Sequence, residues 1–330
     1  MNIKEFADYL GLSTSTVSKA LNNRSDIGEK TRKRVAEAAV ALGYKPNVSA
    51  RNLRSGKVNT VAMLLPVLSG DNILTASFFM RIAKGLHEVL HRHDVVPVIH
   101  ITTDREEELA LLQKIIDQKR ADAIILADTE IHDERVEYLQ ERGFPFVTMG
   151  QSLSLNGQFN WVDFNYSVMG SESVEYALQQ GAKNIAIVTL GSNSMHGELF
   201  LAGYKKRMKD KGMNVQDEFI FYGDKTEFSG FDAIEKFSQL EHQPDFIIFI
   251  NDFQYSGACN YLNANVPSFI GKENMLCAIV SSDFFSSSLS AKHSFDIDHH
   301  AVGKHLAELA IAASEGKAAQ QIVLDVHLRT

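Results

Sequence analysis

Small polar and cationic side chains near the start of the chain recur at the spacing of one α-helical face: Thr14, Ser15, Ser18 and Lys19. Such groups donate and accept hydrogen bonds, so they could read the edges of DNA base pairs in the major groove, where an apolar face could not. The opposite side of the same segment is apolar, with Val17 and Ala20 at helical spacing. We therefore predict a helix from Thr14 to about Leu21 that packs on one side and reads DNA with the other.

The residues before this segment predict another helix, joined to it by a tight turn. The spacing i, i+3, i+4, i+7, which is typical of one buried helical face, occurs at Ile3, Phe6, Ala7 and Leu10. Gly11 is expected to end this helix and Ser13 to cap the next. Residues 3–21 thus fit a helix-turn-helix, in which one helix crosses the DNA backbone and the other enters the major groove. A third helix is predicted from about Glu29 to Leu42, before Gly43, with these inward residues: Val35, Ala38, Ala39 and Leu42.

The charge of the chain is divided unevenly along its length. The 330 residues carry 33 Lys and Arg against 41 Asp and Glu, and this net charge of −8 by itself argues against a nucleic-acid partner. Residues 1–58, however, hold eleven Lys and Arg against five Asp and Glu, which makes this part +6 and the remainder −14. A small basic module joined to a large acidic one indicates two separate tasks, with DNA binding assigned to the first.

After Lys57, apolar runs typical of buried parallel strands alternate with amphipathic helical stretches. Strands are predicted at Thr60–Pro66, Val95–Ile101, Ala123–Ala127, Phe146–Met149, Ile185–Leu190, Phe219–Tyr222, Phe246–Ile250 and Leu276–Val280. Helices are predicted at 78–92, 105–118, 133–142, 167–180, 197–211, 229–240 and 299–315. This alternation predicts doubly wound α/β sheets, and about 270 residues are long for one sheet, so we expect two similar α/β subdomains.

Composition excludes several classes of protein. Hydrophobic residues make up 45% and charged residues 22% of the chain, as in ordinary globular proteins. The mean hydropathy of −0.13 and the lack of a long apolar run argue against a membrane span, and the first residues do not form a secretory signal. Cys259 and Cys277 provide neither a disulfide framework nor a metal-binding spacing. We therefore predict a reduced, cytoplasmic protein with no membrane partner.

Enzyme signatures are missing from the sequence. No G-x-G-x-x-G follows a strand, and there is no P-loop, no H-E-x-x-H and no G-x-S-x-G. His87 and His91 share a predicted helix face, but only His93 or Asp94 could supply a third zinc ligand, so a solvated face is the preferred interpretation. We predict neither an enzyme nor a bound cofactor or metal.

Two stretches of the basic module, FADYLGLSTSTVSKALN (6–22) and KTRKRVAEAAVALGYKPNVSARNLRSGK (30–57), resemble the headpiece of the LacI/GalR (lactose-repressor) family. The similarity continues through NIAIVTL (184–190), LAGYKKRM (201–208), FINDFQYSGA (249–258) and VSSDFF (280–285). The resemblance implies a helix-turn-helix domain at 1–46, a hinge helix or linker at 47–57 and an effector-binding and dimerisation core at 58–330. That core is expected to have a periplasmic-binding-protein-like fold, with one subdomain at about 58–160 plus 290–319 and the other at about 161–289 plus 320–330.

The resemblance also implies further DNA contacts in the head and hinge: Thr16, Asn22, Arg32, Tyr44, Asn47, Ala50, Arg51 and Leu53. Asn47 is a good helix cap and Gly56 a good stop, so the hinge could form two helical turns. So short a helix is unstable alone, and we expect it to be ordered only by DNA or by a partner hinge. Leu53 is odd on an exposed helix; the resemblance implies a wedge in the minor groove, and the alternative is an ordinary linker.

Polar residues directly after two predicted strands mark the expected ligand cleft of the core. Asn251 and Asp283 lie where the resembled family binds ligand hydroxyls, although such junctions can also be plain helix caps. The other pocket residues implied by the resemblance are Phe78, Phe79, Phe164, Glu198, Phe200 and Lys225. Phe200 stands where the family commonly has Arg, and Lys225 where some sugar-sensing members have Trp. The effector therefore stays open, and an acidic or phosphorylated sugar is considered beside plain sugars.

Together these observations predict a dimeric repressor of carbohydrate-utilisation genes that binds a palindromic operator and is released by a sugar or sugar derivative. One alternative is a regulator of the same build in which a purine-like corepressor tightens DNA binding. Another is a solute-binding transport protein, which would need an export signal and leaves the basic head unexplained. A dimer rather than a tetramer is expected because no leucine heptads follow the strand-like Ile322–Val326.

Overall fold

The computed structural model describes residues 1–21, 26–44, 57–65, 73–102, 104–264, 270–279 and 293–329. The chain divides into two units, residues 1–59 and 60–330. Most of the predicted hinge, residues 47–56, lies outside the described residues. Over the ranges that are described, no helix is long and apolar enough to cross a lipid bilayer.

Three helices are described in the first unit: α1 (Ile3–Leu10), α2 (Thr14–Leu21) and α3 (Glu29–Ala41). α1 begins at a capping box, because the Asn2 side chain accepts from the backbone N–H of Glu5 at 3.0 Å while the Glu5 carboxylate accepts from that of Asn2 at 2.9 Å. It ends at Gly11, whose φ of 62° lies in the left-handed region that favours glycine. The predicted helix-turn-helix is therefore confirmed, including its turn.

A small apolar core holds these helices together: Phe6, Ala7, Leu10, Val17, Ala20, Val35 and Tyr44. The rings of Phe6 and Tyr44 are stacked with their centroids 4.2 Å apart, which fixes the chain after α3 against α1. The prediction that Leu42 points inward is wrong, since 41% of this residue is exposed. Leu42 is the C-cap residue of α3 and lies beyond Ala38 and Ala39, the last residues of the helix that pack against this core.

The second unit alternates strands and helices, as predicted. Its strands are β1 (Thr60–Leu65), β2 (Val96–Ile101), β3 (Ala123–Ala127), β4 (Phe146–Met149), β5 (Trp161–Phe164), β6 (Ile185–Leu190), β7 (Ile220–Gly223), β8 (Phe246–Asn251), β9 (Met275–Ile279), β10 (Ser294–Asp296), β11 (Gln321–Leu324) and β12 (His327–Arg329). Its α-helices are α4 (Ile73–Arg92), α5 (Arg105–Asp117), α6 (Glu134–Glu141), α7 (Tyr166–Gln179), α8 (Met195–Asp210), α9 (Glu227–Ser238), α10 (Asp252–Ala264) and α11 (His299–Ser314).

Two parallel sheets define two lobes of this unit. The sheet of the first lobe has the strand order β11-β5-β4-β3-β1-β2 and packs against α4, α5, α6 and α11. The sheet of the second lobe has the order β7-β6-β8-β9 and packs against α7, α8, α9 and α10. A short antiparallel pair, β10 and β12, adjoins β9. Helices cover both faces of the central strands, which is why those strands are continuous apolar runs in the sequence.

Two strands lie in a different lobe from the one that the sequence predicted. β5 and β11 pair with each other, and β5 pairs with β4, so both belong to the first sheet, whereas residues 161–289 and 320–330 were expected in the second subdomain. Conversely, β10 falls within the range expected in the first subdomain but contacts β9 of the second lobe. Strand pairing between distant segments decides this membership, and local sequence does not mark it.

The sequence did not predict α10, although this helix is thirteen residues long. Its residues from Asp252 to Cys259 are buried in succession, so it lacks the polar face that reveals an amphipathic helix. It packs closely on α9, because a Cβ atom at Gly230 would lie only 1.7 Å from the Gln254 carbonyl oxygen. Tertiary packing therefore specifies α10 more than its own periodicity does.

Candidate functional site

Three of the predicted base-reading residues are exposed on one side of α2: Thr14, Ser15 and Lys19. The opposite side of the helix carries Val17 and Ala20, which are buried in the core of the first unit. Packing of the apolar side thus leaves the polar side at the surface, as the spacing predicted. The arrangement suits a helix that donates and accepts hydrogen bonds in a DNA groove.

Thr16 and Ser18 are half-buried, and Thr16 takes part in the cap of the helix. Ser13 Oγ accepts from the backbone N–H of Thr16 at 3.0 Å, and the two hydroxyl oxygens lie 2.8 Å apart. The predicted N-cap at Ser13 is confirmed. Its hydrogen bond satisfies one of the free N–H groups at the start of α2 and fixes where the helix begins.

Lys19 forms an ion pair that the sequence did not predict. Its Nζ lies 2.6 Å from Oδ2 of Asp26, and the two side chains are 48% and 53% exposed. An exposed pair of this kind contributes about 0–1 kcal/mol, so DNA could displace Asp26 at little cost.

The remaining predicted DNA contacts have diverse surroundings. Tyr44 is buried against Phe6, and burial raises the pKa of its hydroxyl. Arg32 is half-buried on α3. Its neighbour Arg34 donates to the Leu10 carbonyl at 2.7 Å, which ties α3 to the end of α1. The predicted contacts outside the described residues are Asn22, Asn47, Ala50, Arg51 and Leu53.

In the second unit, the carboxyl ends of strands from both lobes meet, and we call this region the cleft. The first-lobe strand β3 leads to Asp128, and the second-lobe strand β7 leads to Lys225; the two side chains form a close ion pair. Burial alone would raise the pKa of Asp128, but the Lys225 ammonium outweighs it and lowers this pKa to about 2. Ligands of parallel α/β sheets bind at such strand ends.

The guanidinium of Arg135, which is fully buried in α6, holds the loop that carries Asp128. It donates to the backbone carbonyls of Ala127 and Asp128 at 3.1 and 3.0 Å. Its other bonds reach Asp133 at 2.6 and 2.9 Å and Glu108 at 2.7 Å, and both carboxylates are buried with it. Although burial would lower the pKa of Arg135, the two carboxylates raise it, so the buried cluster stays charged.

A second contact joins the two lobes close to Asp128. The backbone N–H of Ile131 donates to the Asn193 carbonyl at 3.0 Å, and the Asn193 side chain donates to Glu130 at 2.6 Å. Arg105 donates to the other carboxylate oxygen of Glu130 at 2.7 Å. The loops after β3 and β6 are thereby held together across the cleft.

A histidine and a carboxylate face each other in the buried part of the cleft. His196 Nε2 lies 3.8 Å from Asp163 Oδ1, and the His196 ring stacks on Tyr166 with centroids 4.7 Å apart. Burial raises the pKa of Asp163 to about 7, although the hydrogen bonds that its carboxylate accepts from Phe164 and Gln151 act to lower this pKa. Burial has the opposite effect on His196 and lowers its pKa to about 4. Neither His196 nor Asp163 was predicted as a site residue from the sequence. The available signal was a carboxylate within the apolar strand WVDF.

Of the buried side-chain atoms that have no hydrogen-bond partner within the part of the chain that the structure describes, two belong to Thr129 and Asn251 beside the cleft. They are Oγ1 of Thr129, after β3, and Nδ2 of Asn251, at the end of β8. The Oδ1 of Asn251, by contrast, accepts from the backbone N–H of Gln254 at 3.1 Å. An unsatisfied buried polar atom costs about 1–3 kcal/mol, which a ligand supplying the partner would recover. Thr129 belongs to the first lobe and Asn251 to the second.

The aromatic residues expected to contact a ligand pack largely against the protein. Phe79 and Phe164 are buried. Phe78 is half-buried, with its ring edge-on to those of Phe79 and His299 at 5.3 and 4.9 Å between centroids. Of these three, Phe78 keeps the most surface for a ligand.

Other expected pocket residues also differ in their surroundings. Phe200 is 0% exposed in the core of the second lobe, which leaves no face of its ring for a ligand in this arrangement. Glu198, two residues earlier on α8, is exposed. Lys225 is exposed as well but is engaged by Asp128. Asp283 lies outside the described residues.

Family models match both units of the chain. Residues 2–47 match bacterial regulatory proteins of the lacI family, and residues 60–314 match periplasmic binding proteins and the sugar binding domain of the LacI family. Catabolite control protein A of Priestia megaterium is 30% identical over 248 residues, which cover 74% of this chain and 72% of that protein. The transcriptional regulator MalR of Streptococcus pneumoniae is 27% identical over 305 residues, 92% of this chain and 90% of MalR.

Solved structures share the same fold. The lac repressor dimer bound to operator and the anti-inducer ONPF superposes with a TM-score of 0.78 at 19% identity. The complex of the transcriptional regulator CelR with cellobiose superposes with a TM-score of 0.73 at 22% identity. Both comparisons cover 100% of this chain and 98% of the other. The predicted helix-turn-helix head followed by a periplasmic-binding-protein-like core is confirmed.

Proposed function

Because the chain belongs to the LacI family of bacterial regulatory proteins, we propose that it is a repressor whose hold on a palindromic operator is controlled by a small polar effector in the cleft. The family consists of transcription regulators and not of enzymes. The observation that carries the DNA-binding part is the exposed polar side of α2 on a capped, packed helix. In the cleft, the unsatisfied atoms of Thr129 and Asn251 support effector binding.

The effector that suits the cleft is a neutral polyhydroxylated molecule, such as a sugar or sugar derivative. A hydroxyl group both donates and accepts, so the hydroxyls of such a molecule suit both the donor atom of Asn251 and the hydroxyl of Thr129. One structurally similar regulator, CelR, is described in complex with cellobiose. By that analogy, genes for carbohydrate utilisation are the targets we propose.

Effector control would act through the relative position of the lobes. The polar groups of the cleft come from both, since Thr129 follows β3 and Asn251 ends β8. A ligand shifts an equilibrium between two lobe arrangements only by binding one of them better. A coupling of about 1–3 kcal/mol is typical of such linkage and would change operator affinity about 5–150-fold. We propose that the effector releases the operator.

Exposed apolar side chains support a homodimer, which a palindromic operator requires. On the second lobe, Tyr222, Phe228 and Phe231 are 50%, 81% and 39% exposed. On the first lobe, the edge strand β2 exposes Val96 and Ile101. Large exposed aromatic groups are costly in water unless a partner covers them, and a second copy of the chain is the partner we propose.

Selection of binding sites from random DNA by the purified full chain tests this function. We expect a site with two-fold symmetry, and recovery of no symmetric site would refute the proposal. A thermal-shift screen of sugars, sugar phosphates and nucleosides then identifies the effector, because a specific ligand stabilises the folded state. Addition of that ligand should lower operator affinity. Tighter binding instead would favour a corepressor, and a purine-like hit would identify its class.

A further inference from the structure

The ion pair between Asp128 and Lys225 joins residues that lie 97 positions apart in the chain and on opposite lobes. We propose that this pair is a latch that holds the lobes together before any effector binds and that, by neutralising Lys225, it excludes anionic effectors. The exclusion rests on the proposed function, because it concerns the effector. The closure of the lobes does not depend on it.

The first-lobe end of the latch is rigid. Arg135 binds the carbonyl oxygens of Ala127 and Asp128, and Arg135 is itself fixed by two buried carboxylates. Asp128 also has a φ of 56°, in the left-handed region, which aspartate tolerates better than most other residues do. The backbone that carries the Asp128 side chain is therefore held in position, so pairing with Lys225 costs less conformational entropy than it would from a mobile loop.

The second-lobe end is held in a similar way. Asp224, beside Lys225, donates its backbone N–H to Ser229 Oγ at 2.8 Å and accepts from the Gln254 side chain at 3.1 Å through its carbonyl. Thr226, on the other side, caps α9 through the backbone N–H of Ser229 at 3.3 Å. The backbone around Lys225 is therefore tied to α9 and α10. The attraction between Asp128 and Lys225 is thereby transmitted to the helices of the second lobe.

Charge at the cleft argues against an anionic effector. Across the ranges described, the cations near the strand ends, Lys225, Arg105 and Arg135, each already contact at least one carboxylate. Burial lowers the pKa of His196, so its imidazole is neutral at neutral pH. A phosphate entering the cleft would have to displace Asp128 from Lys225 and would then face the released carboxylate. A neutral ligand meets no such repulsion.

Closure is tested by measuring the distance between spin labels on the two lobes of the full chain, without effector. Glu141→Cys on α6 and Lys209→Cys on α8 place labels at exposed positions, and the buried Cys259 and Cys277 should react poorly. Labelled chains are diluted into unlabelled chains so that only distances within one chain are recorded. We expect Lys225→Gln to lengthen and broaden this distance. The exchange of Asp128→Lys with Lys225→Asp should restore it, whereas an unchanged distance in Lys225→Gln overturns the latch.

Exclusion of anions is tested with inorganic phosphate as the probe, against chloride at equal ionic strength. The wild-type melting temperature should not respond, whereas Asp128→Asn frees Lys225 and should be stabilised by phosphate. Asp117→Asn, which removes an exposed carboxylate on α5, is the matched control and should behave as wild type. Equal responses of wild type and Asp128→Asn overturn the exclusion. A chain that binds no operator but opens on loss of Lys225 would refute the proposed function and still support the latch.

Discussion

The carboxylate of Asp26 forms an ion pair with the ammonium group of Lys19, with Oδ2 and Nζ 2.6 Å apart. A side chain proposed to read DNA is therefore already paired in the free protein. DNA binding must exchange this carboxylate for a phosphate or a base edge. An exposed ion pair of this kind contributes about 0–1 kcal/mol, so the exchange lowers the binding free energy by no more than this amount.

Asp26→Asn should therefore raise operator affinity by up to about fivefold at low salt. Asp8→Asn is the matched control, because it removes an exposed carboxylate from α1 that does not pair with Lys19. Titration of labelled operator at several salt concentrations measures both. If the two variants gain equally, the effect is one of net charge alone and the Lys19–Asp26 pair has no specific role.

Thr129→Val should weaken effector binding without destabilising the protein. The hydroxyl of Thr129 has no hydrogen-bond partner among the described residues. Its removal therefore breaks no hydrogen bond in the free protein and eliminates a buried polar group that is unsatisfied. Loss of one hydrogen bond to the effector should reduce affinity about tenfold, measured by calorimetry.

The control for that variant is Thr189→Val on β6. Its hydroxyl donates to the Gly197 carbonyl at 3.0 Å, so this change should cost about 1 kcal/mol of stability. It should leave effector affinity nearly unchanged. Effector binding by Thr129→Val that matches wild type would remove Thr129 from the proposed pocket.

Arg135→Met should strongly destabilise the first lobe. It leaves the buried Asp133 carboxylate without its counter-charge and Glu108 with Arg105 alone, at a cost of about 3–5 kcal/mol. Urea unfolding followed by Trp161, the single tryptophan, reports on this lobe because Trp161 lies on β5. Arg142→Met removes an exposed guanidinium and should change stability by less than about 0.5 kcal/mol. Similar losses in both variants would show that the buried cluster is not special.

Asp163→Asn should become relatively more stable than wild type as pH rises from about 4 to 7. The folded state raises the pKa of Asp163 to about 7, so over this range the carboxyl ionises in the unfolded chain but stays protonated in the folded protein, and wild type loses stability. The gain should be about 2–4 kcal/mol by pH-dependent unfolding.

His196→Gln should show the opposite trend. The pKa of His196 falls to about 4 on folding, so wild type loses stability as pH drops from about 6.5 to 4, and the variant does not. A pH profile of either variant that runs parallel to that of wild type would mean that folding does not shift the pKa of the residue replaced.

Phe228→Glu should shift the protein from dimer to monomer. With 81% of Phe228 exposed, the change should not disturb folding of the single chain. Val40→Glu is the control, since Val40 of the first unit is 84% exposed and equally apolar. Sedimentation velocity measures the masses. A Phe228→Glu chain that stays dimeric at the wild-type concentration would place the interface elsewhere.

Much of the local structure follows from the sequence alone. Gly11 and Ser13 mark the turn between α1 and α2, and the helical period shows which side of α2 is buried. Most of the strands from β1 to β9 could be predicted from the sequence, because a strand that is covered on both faces needs an uninterrupted apolar run. These features depend on interactions between residues a few positions apart.

Tertiary structure alone decided which distant residues meet. Asp128 and Lys225 lie 97 positions apart, and neither strand end carries a local signal for the other. The burial of Phe200 and the membership of β5 and β11 in the first sheet depend likewise on packing and on strand pairing. Periodicity and capping report interactions within one element, whereas the cleft is assembled from the ends of many elements. Its charges, unsatisfied atoms and shifted pKa values exist only once the lobes are folded and together.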